Sequence, residues 1–248
     1  MNLSTLFFVF AFLPVSLILY LLCPRVCKNA LLILVSFLFY AWGSPVYLLL
    51  LLLVLVIGGV LLVRRSLAPA ADSIPVPDYV QQDLLTVNPY SRPGDELKTI
   101  RGVVIHYVGN PGTSAQANRN YFESLSAGTD GTYASSHFVV GLEVEVIQCV
   151  PLTEIAYASN SRNEDTVSIE VCHPDETGEF GPETYESVVR LTAWLCETFH
   201  LDPESDVIRH YDVTGKYCPR YYVENEDAWA ALRSDVSDRI AQDQAAAS

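Results

Sequence analysis

Acidic residues are absent from the first 71 positions of this 248-residue chain, which hold four basic residues: Arg25, Lys28, Arg64 and Arg65. The remaining positions carry 11 basic against 29 acidic residues, a net charge of −18. They also lack blocks of Lys and Arg, and duplex binding depends on such residues contacting phosphates, so nucleic acid is excluded as a partner. The 11% of aromatic residues and the Val- and Ile-rich runs exclude a disordered chain. An apolar segment therefore precedes an acidic domain.

Charge is also lacking over two long runs of the apolar segment, 3–22 and 30–63. Twenty apolar residues suffice to cross about 30 Å of hydrocarbon, and the first run lacks the basic start and the cleavage point of a signal peptide. The second run is too long for one straight helix, and Pro45 favours a break after residue 42. We therefore predict an α-helical transmembrane anchor over 1–65, with two to three hydrophobic helices in the lipid bilayer through residues 3–63.

The anchor resembles the N-terminus of membrane-bound O-acyltransferases in FFVFAFLPVSLILYLLCP and NALLILVSFLFYAWGSPVYLLLLL. Residues 1–65 contain no histidine, which that family needs for catalysis, so acyl transfer is not implied. Residues 66–78 are rich in Ala, Ser and Pro, which predicts an extended linker of about 40 Å. The acidic domain then covers 79–248.

Short apolar runs alternate with amphipathic segments in the acidic domain. Thr113 and Gln116 form a candidate capping box at the start of a helix. Strands are predicted at 102–107, 137–140, 143–150 and 166–172, and helices at 113–125, 182–199 and 224–244. Strands interleaved with helices, but with one hairpin, predict an α/β domain with a mixed central β-sheet.

Two histidines and one cysteine are candidate metal ligands. His210 and Cys218 lie eight residues apart in the loop RHYDVTGKYCPR, and His106 lies on the buried strand GVVIHY. This is the three-ligand set of a catalytic zinc site, in which a fourth position stays open. Spacing alone leaves the alternative that His106 is a buried core histidine.

Hydrolysis at such a site also needs a base and a group that stabilises an oxyanion. Glu170 is a carboxylate in the otherwise apolar strand TVSIEVC, where a charge is costly unless it is paired or functional. Lys216 precedes Cys218 by two residues, which would bring its ammonium close to a bound metal. A strand-end salt bridge and a solvated loop lysine are the respective alternatives.

Four segments together resemble the zinc-dependent type 2 N-acetylmuramoyl-L-alanine amidases, whose superfamily includes peptidoglycan recognition proteins. They are GVVIHYVGNPGTSAQANRNYFESL, SSHFVVGLEVEVIQCVPLTEIAYASN, DTVSIEVCHPDETGEF and VIRHYDVTGKYCPRYYV. The resemblance runs from about Val80 to Val223. It implies a mixed central sheet flanked by helices, with one Zn²⁺ per chain at the end of a substrate groove.

The resemblance also implies a role for each candidate residue. His106, His210 and Cys218 would be metal ligands, and Glu170 and Lys216 would be catalytic. Ser136 stands where some phage relatives have a catalytic tyrosine, and AYASN (156–160) replaces the AWHAG of many relatives. These departures leave Tyr107 or His137 as substrate contacts.

The implied reaction is hydrolysis of the amide between N-acetylmuramic acid and the L-alanine of the stem peptide. Peptidoglycan and its muropeptide fragments would be the partners. We therefore expect a cell-membrane location with the domain facing the cell wall, although the basic pairs beside both apolar runs favour the cytoplasmic side. A non-catalytic peptidoglycan-binding module of the same fold stays open as the alternative.

Overall fold

The computed structural model describes residues 10, 12–22, 28–29, 31–32, 35, 53, 56, 75–129 and 131–247. Contacts divide the chain into two units, Met1–Ser66 and Leu67–Ser248. In the first unit, helix α1 (Leu13–Leu22) has no buried side chain. Within the described residues, no helix is both long and apolar enough to cross a membrane. Part of the first apolar run, most of the second run and the start of the linker lie outside the described residues.

The second unit is built on a six-stranded sheet with the strand order β1-β4-β3-β5-β2-β6. The strands are β1 (Val80–Gln82), β2 (Val103–Tyr107), β3 (Phe138–Val140), β4 (Val146–Gln148), β5 (Val167–Val171) and β6 (Val207–Arg209). Neighbouring strands are parallel except β3 and β4, which are antiparallel. The predicted mixed sheet is therefore confirmed.

Helices cover both faces of the sheet. They are α2 (Ala115–Ser124), α3 (Pro182–Phe199), α4 (Pro203–Asp206), α5 (His210–Thr214), α6 (Arg220–Glu224) and α7 (Glu226–Ala247). One core contains Ile105 and Phe138 of the sheet with residues of α3 and α7, while the other contains Val139 with residues of α2. Since side chains alternate along a strand, His106 and Glu170 lie on the α2 side of the sheet.

Two local predictions were wrong. The N-cap of α2 is Ser114, whose side chain accepts a hydrogen bond from the N–H of Ala117, so Thr113 and Gln116 form no capping box. The strand predicted to begin at Glu143 begins at Val146, because the N–H of Gly141 donates to the carbonyl of Glu145 and closes a turn. Val144 and Val146 alternate with Glu143 and Glu145, which predicts Val144 on the buried face of a strand, but Val144 is 64% exposed in that turn.

Candidate active site

His106 lies near the carboxyl end of β2, a strand between β5 and β6, and its side chain is only 2% exposed. Its Nδ1 atom is 3.8 Å from the Sγ atom of Cys218, and its Nε2 atom is 3.1 Å from the Oγ atom of Ser159. Burial, together with the nearby His210 and Lys216, holds the pKa of His106 well below its usual range. The ring is therefore neutral and offers a lone pair.

His210 is the first residue of α5, directly after β6, and its ring lies 4.6 Å from that of His106 between centroids. Its Nε2 atom is 2.9 Å from Oδ1 of Asn160. Its Nδ1 atom is buried and has no hydrogen-bond partner among the residues that the structure describes. Burial and Lys216 lower the pKa of this ring as well, so it too is neutral at physiological pH.

The buried Arg209 fixes the turn that carries His210. Its guanidinium donates to both carboxylate oxygens of Asp212, to the carbonyl of Tyr222 and to Glu226. Its backbone N–H donates to Asp212 as well. The start of α5 is thereby tied to α6 and to the first turn of α7.

Cys218 completes the group from a buried position in the loop between α5 and α6. Burial raises the pKa of its thiol to about 12 with a contribution from Glu170, while the N–H of Tyr107 and the charge of Lys216 act in the opposite direction. A thiol in this setting ionises readily only beside a cation.

The three side chains fit a zinc ion. One ring nitrogen of each histidine and the Cys218 sulfur all lie within 4.8 Å of one another. Imidazole nitrogen and thiolate sulfur are the donors that zinc prefers, and three protein ligands leave a position for substrate or water. The unpartnered Nδ1 of His210 is accounted for if it binds a metal.

Glu170 pairs with His106 across β5 and β2, and its Oε1 atom is 3.9 Å from Nδ1 of His106. Its Oε2 atom is buried without a hydrogen-bond partner in the described part of the chain. Burial raises the pKa of this carboxyl to about 8, against the lowering effect of Lys216. A carboxyl in this range can both accept and deliver a proton near neutral pH.

Lys216 is exposed in the loop before Cys218. Its charge lowers the pKa values of His106 and His210 and opposes the rise at Glu170. Lys216 therefore contributes positive charge to the electrostatics of this site.

Residues 96–221 match the family described as N-acetylmuramoyl-L-alanine amidase, which is just over half of the chain. The chain belongs to this amidase family. N-acetylmuramoyl-L-alanine amidase BlyA of Bacillus subtilis (strain 168) is 31% identical over 176 residues, 63% of this chain and 46% of that protein. A probable N-acetylmuramoyl-L-alanine amidase of Bacillus licheniformis is 33% identical over 173 residues, 65% of this chain and 48% of that protein. The chain thus spans about half the length of these curated relatives.

A solved structure, the catalytic domain of XlyA, shares this amidase fold. It is 25% identical with a TM-score of 0.53, and the match covers 63% of this chain and 98% of that domain. The matched region thus corresponds to nearly the whole of that domain.

Two residues of this amidase domain, Tyr107 and His137, were predicted to contact the substrate. Tyr107 follows His106 on β2, so its side chain is on the other face of the sheet, where it packs against the core shared with α3 and α7. His137 is buried, with Nδ1 accepting from the N–H of Ser168 and Nε2 donating to the carbonyl of Glu154. Burial lowers its pKa to about 4. His137 is thus a neutral, buried residue with both ring nitrogens hydrogen-bonded, and its contact with substrate stays a prediction.

The position that some relatives fill with tyrosine also has a structural role in this amidase domain. The buried Ser136 hydroxyl lies within hydrogen-bond distance of the carbonyls of Phe138 and Ser168 and accepts from the N–H of Glu170. It supports the backbone of Glu170 and is not exposed to a substrate.

The sequence analysis did not predict Ser159 and Asn160 as residues of the site. Both fall in the segment AYASN, which was identified only as a departure from the AWHAG of many relatives.

Proposed function

We propose that this chain is a zinc-dependent peptidoglycan amidase that hydrolyses the amide between N-acetylmuramic acid and L-alanine and releases the stem peptide from the glycan. The observation that carries the proposal is the group of His106, His210 and Cys218 with the carboxyl of Glu170 beside it. The names of the curated relatives support the identity of the amide.

His106, His210 and Cys218 would hold the metal. When bound, zinc supplies a Lewis acid that polarises a carbonyl oxygen and lowers the pKa of water. The neutral histidines are suited to this, because binding requires unprotonated nitrogen, while the Cys218 thiol, whose pKa burial raises to about 12, would lose its proton on binding the metal.

Glu170 would transfer the proton. In its ionised form it accepts a proton from the water that attacks the amide carbon, and it then delivers that proton to the alanine nitrogen as the C–N bond breaks. Its unpartnered Oε2 leaves an oxygen available for this transfer. Lys216 would stabilise the negative charge that develops on the carbonyl oxygen.

The test uses the purified full-length chain and purified peptidoglycan. We expect one zinc per chain and the appearance of new L-alanine amino termini, with release lost after chelation and restored by added zinc. Bound zinc without release from any wall would favour the alternative, a non-catalytic peptidoglycan-binding module. No bound zinc would contradict the grouping of the three ligands.

We also propose that residues 1–65 tether the enzyme to the cell membrane, with its domain facing the cell wall. The support is the absence of charge from 3–22 and 30–63, together with the Ala-, Ser- and Pro-rich linker. A domain with a net charge of −18 is repelled by a wall rich in anionic polymers, and a tether offsets that repulsion.

A chain without residues 1–65 should cleave purified wall at the rate of the full chain but no longer sediment with membranes. The measurement is activity and sedimentation of both forms after expression in the same cells. Replacing 1–65 by an unrelated single-span segment should restore membrane association. Equal sedimentation of the truncated chain would contradict the tether.

A further inference from the structure

A short 3-10 turn (Asn160–Arg162), preceded by Ser159, lies beside the two histidines. The Oδ1 atom of Asn163 accepts hydrogen bonds from the N–H groups of Ala158 and Ser159, at 3.1 and 2.6 Å. Asn160 has a φ of +52°, in the left-handed region that asparagine tolerates better than most residues. These contacts fix the conformation of the turn.

The turn presents one oxygen to each histidine. Ser159 is buried, and its side chain does not cap the turn because its Oγ atom is 3.1 Å from Nε2 of His106. The Oδ1 atom of Asn160 is 2.9 Å from Nε2 of His210. These contacts join residues 53 and 50 positions apart in the chain, so they are products of the fold.

The contact of Asn160 selects one tautomer of His210. An amide oxygen only accepts hydrogen bonds, so Nε2 of a neutral ring must carry the proton and Nδ1 must carry the lone pair. That Nδ1 is the buried atom without a partner within the described chain. At His106, the Ser159 hydroxyl lies at Nε2, where it can accept or donate a hydrogen bond, and Nδ1 lies toward Cys218 and Glu170.

We propose that Ser159 and Asn160 are positioning residues that occupy Nε2 of His106 and His210, so that Nδ1 of each ring would be left to bind the metal. The proposal rests on the proposed zinc function and adds two residues to it. Partners on the second nitrogen of a ligand histidine fix its tautomer and orientation and raise its basicity, and their loss typically lowers metal affinity about 10- to 100-fold.

The chain allows gentle substitutions at both positions. Glycine adopts the backbone conformation of Asn160 without strain, and alanine at position 159 removes only a hydroxyl. Neither substitution is therefore expected to prevent folding.

The test measures zinc affinity of the full-length chain by competition with a chelator. Asn160→Gly and Ser159→Ala should each weaken zinc binding by about 10- to 100-fold and shift the visible absorption of the cobalt-substituted protein. Asn160→Asp, which keeps an acceptor oxygen, should restore both. Ser161→Ala, at an exposed position in the same turn, is the matched control and should change neither.

The outcomes separate this proposal from the proposed function. If the unmodified chain binds zinc but both variants keep its zinc affinity and cobalt spectrum, the positioning role alone is overturned. No zinc binding by the unmodified chain would overturn the zinc function itself. If the metal-depleted Asn160→Gly chain unfolds at a lower temperature and Asn160→Asp does not restore it, then Asn160 stabilises the turn and does not position His210.

Discussion

Glu170→Gln should lower the release of L-alanine amino termini by about 10²- to 10⁴-fold, the usual contribution of general acid–base catalysis. The amide has the shape of the carboxyl but cannot exchange a proton. Because Oε2 of Glu170 is buried and has no partner in the described chain, the substitution breaks no hydrogen bond of that atom. Folding and zinc content should therefore be unchanged.

The measurement is the initial rate of release together with zinc per chain, for the variant and the unmodified protein. Glu164→Gln, an exposed position shortly before β5, is the control and should keep full activity. A Glu170→Gln chain that retains more than half of the activity would remove Glu170 from the mechanism. Loss of zinc from that variant would instead indicate that the carboxylate is a ligand.

Cys218→Ser should weaken zinc binding by more than about 100-fold, because loss of a ligand costs more than loss of an outer partner. A serine hydroxyl keeps the size of the side chain, but it does not replace a soft thiolate donor. Release of L-alanine amino termini should fall in proportion to the zinc lost.

The readout is zinc retained after dialysis against a chelator of known affinity. Cys196→Ala is the control, because Cys196 is another buried free thiol whose pKa burial raises to about 12, and it lies on α3 in the core. If Cys218→Ser binds zinc as tightly as the unmodified chain does, this cysteine is excluded as a ligand. Loss of zinc in both variants would point to disturbed packing.

Regular elements with a strong pattern were predictable from the sequence. The helix 182–199 has the predicted ends, since Pro182 can begin a helix and the apolar residues after it repeat at helical spacing. The strands β1 (VQQ) and β6 (VIR) were missed because a polar residue ends each apolar stretch after one or two positions, whereas the predicted β3 (FVV) is apolar throughout. At 143–145 the alternation was misleading, because a turn closed by the Glu145 carbonyl places Val144 in solvent.

Residues of the candidate site were predictable where they belong to a short, recognisable sequence motif. His210, Lys216 and Cys218 fall within one loop, and Glu170 is conspicuous in an apolar strand. The hydrogen bonds of His137 were not predictable, because its partners, Ser168 and Glu154, lie 31 and 17 residues away and only the fold shows that both ring nitrogens are occupied. Ser159 and Asn160 were missed for the same reason, since a small polar residue in a loop gives no local signal.

The contacts of the Arg209 guanidinium determine how long a segment would have to be transferred to rebuild this site in another protein. It joins the turn of His210 to Tyr222 and Glu226, although neither of those residues lies among the ligands. Lysine would not substitute for it, because one ammonium cannot reproduce the planar fork that serves several acceptors. A transplant of this centre onto another sheet would therefore have to extend at least to Glu226. A graft ending at Cys218 would carry the ligands without the scaffold that sets their spacing.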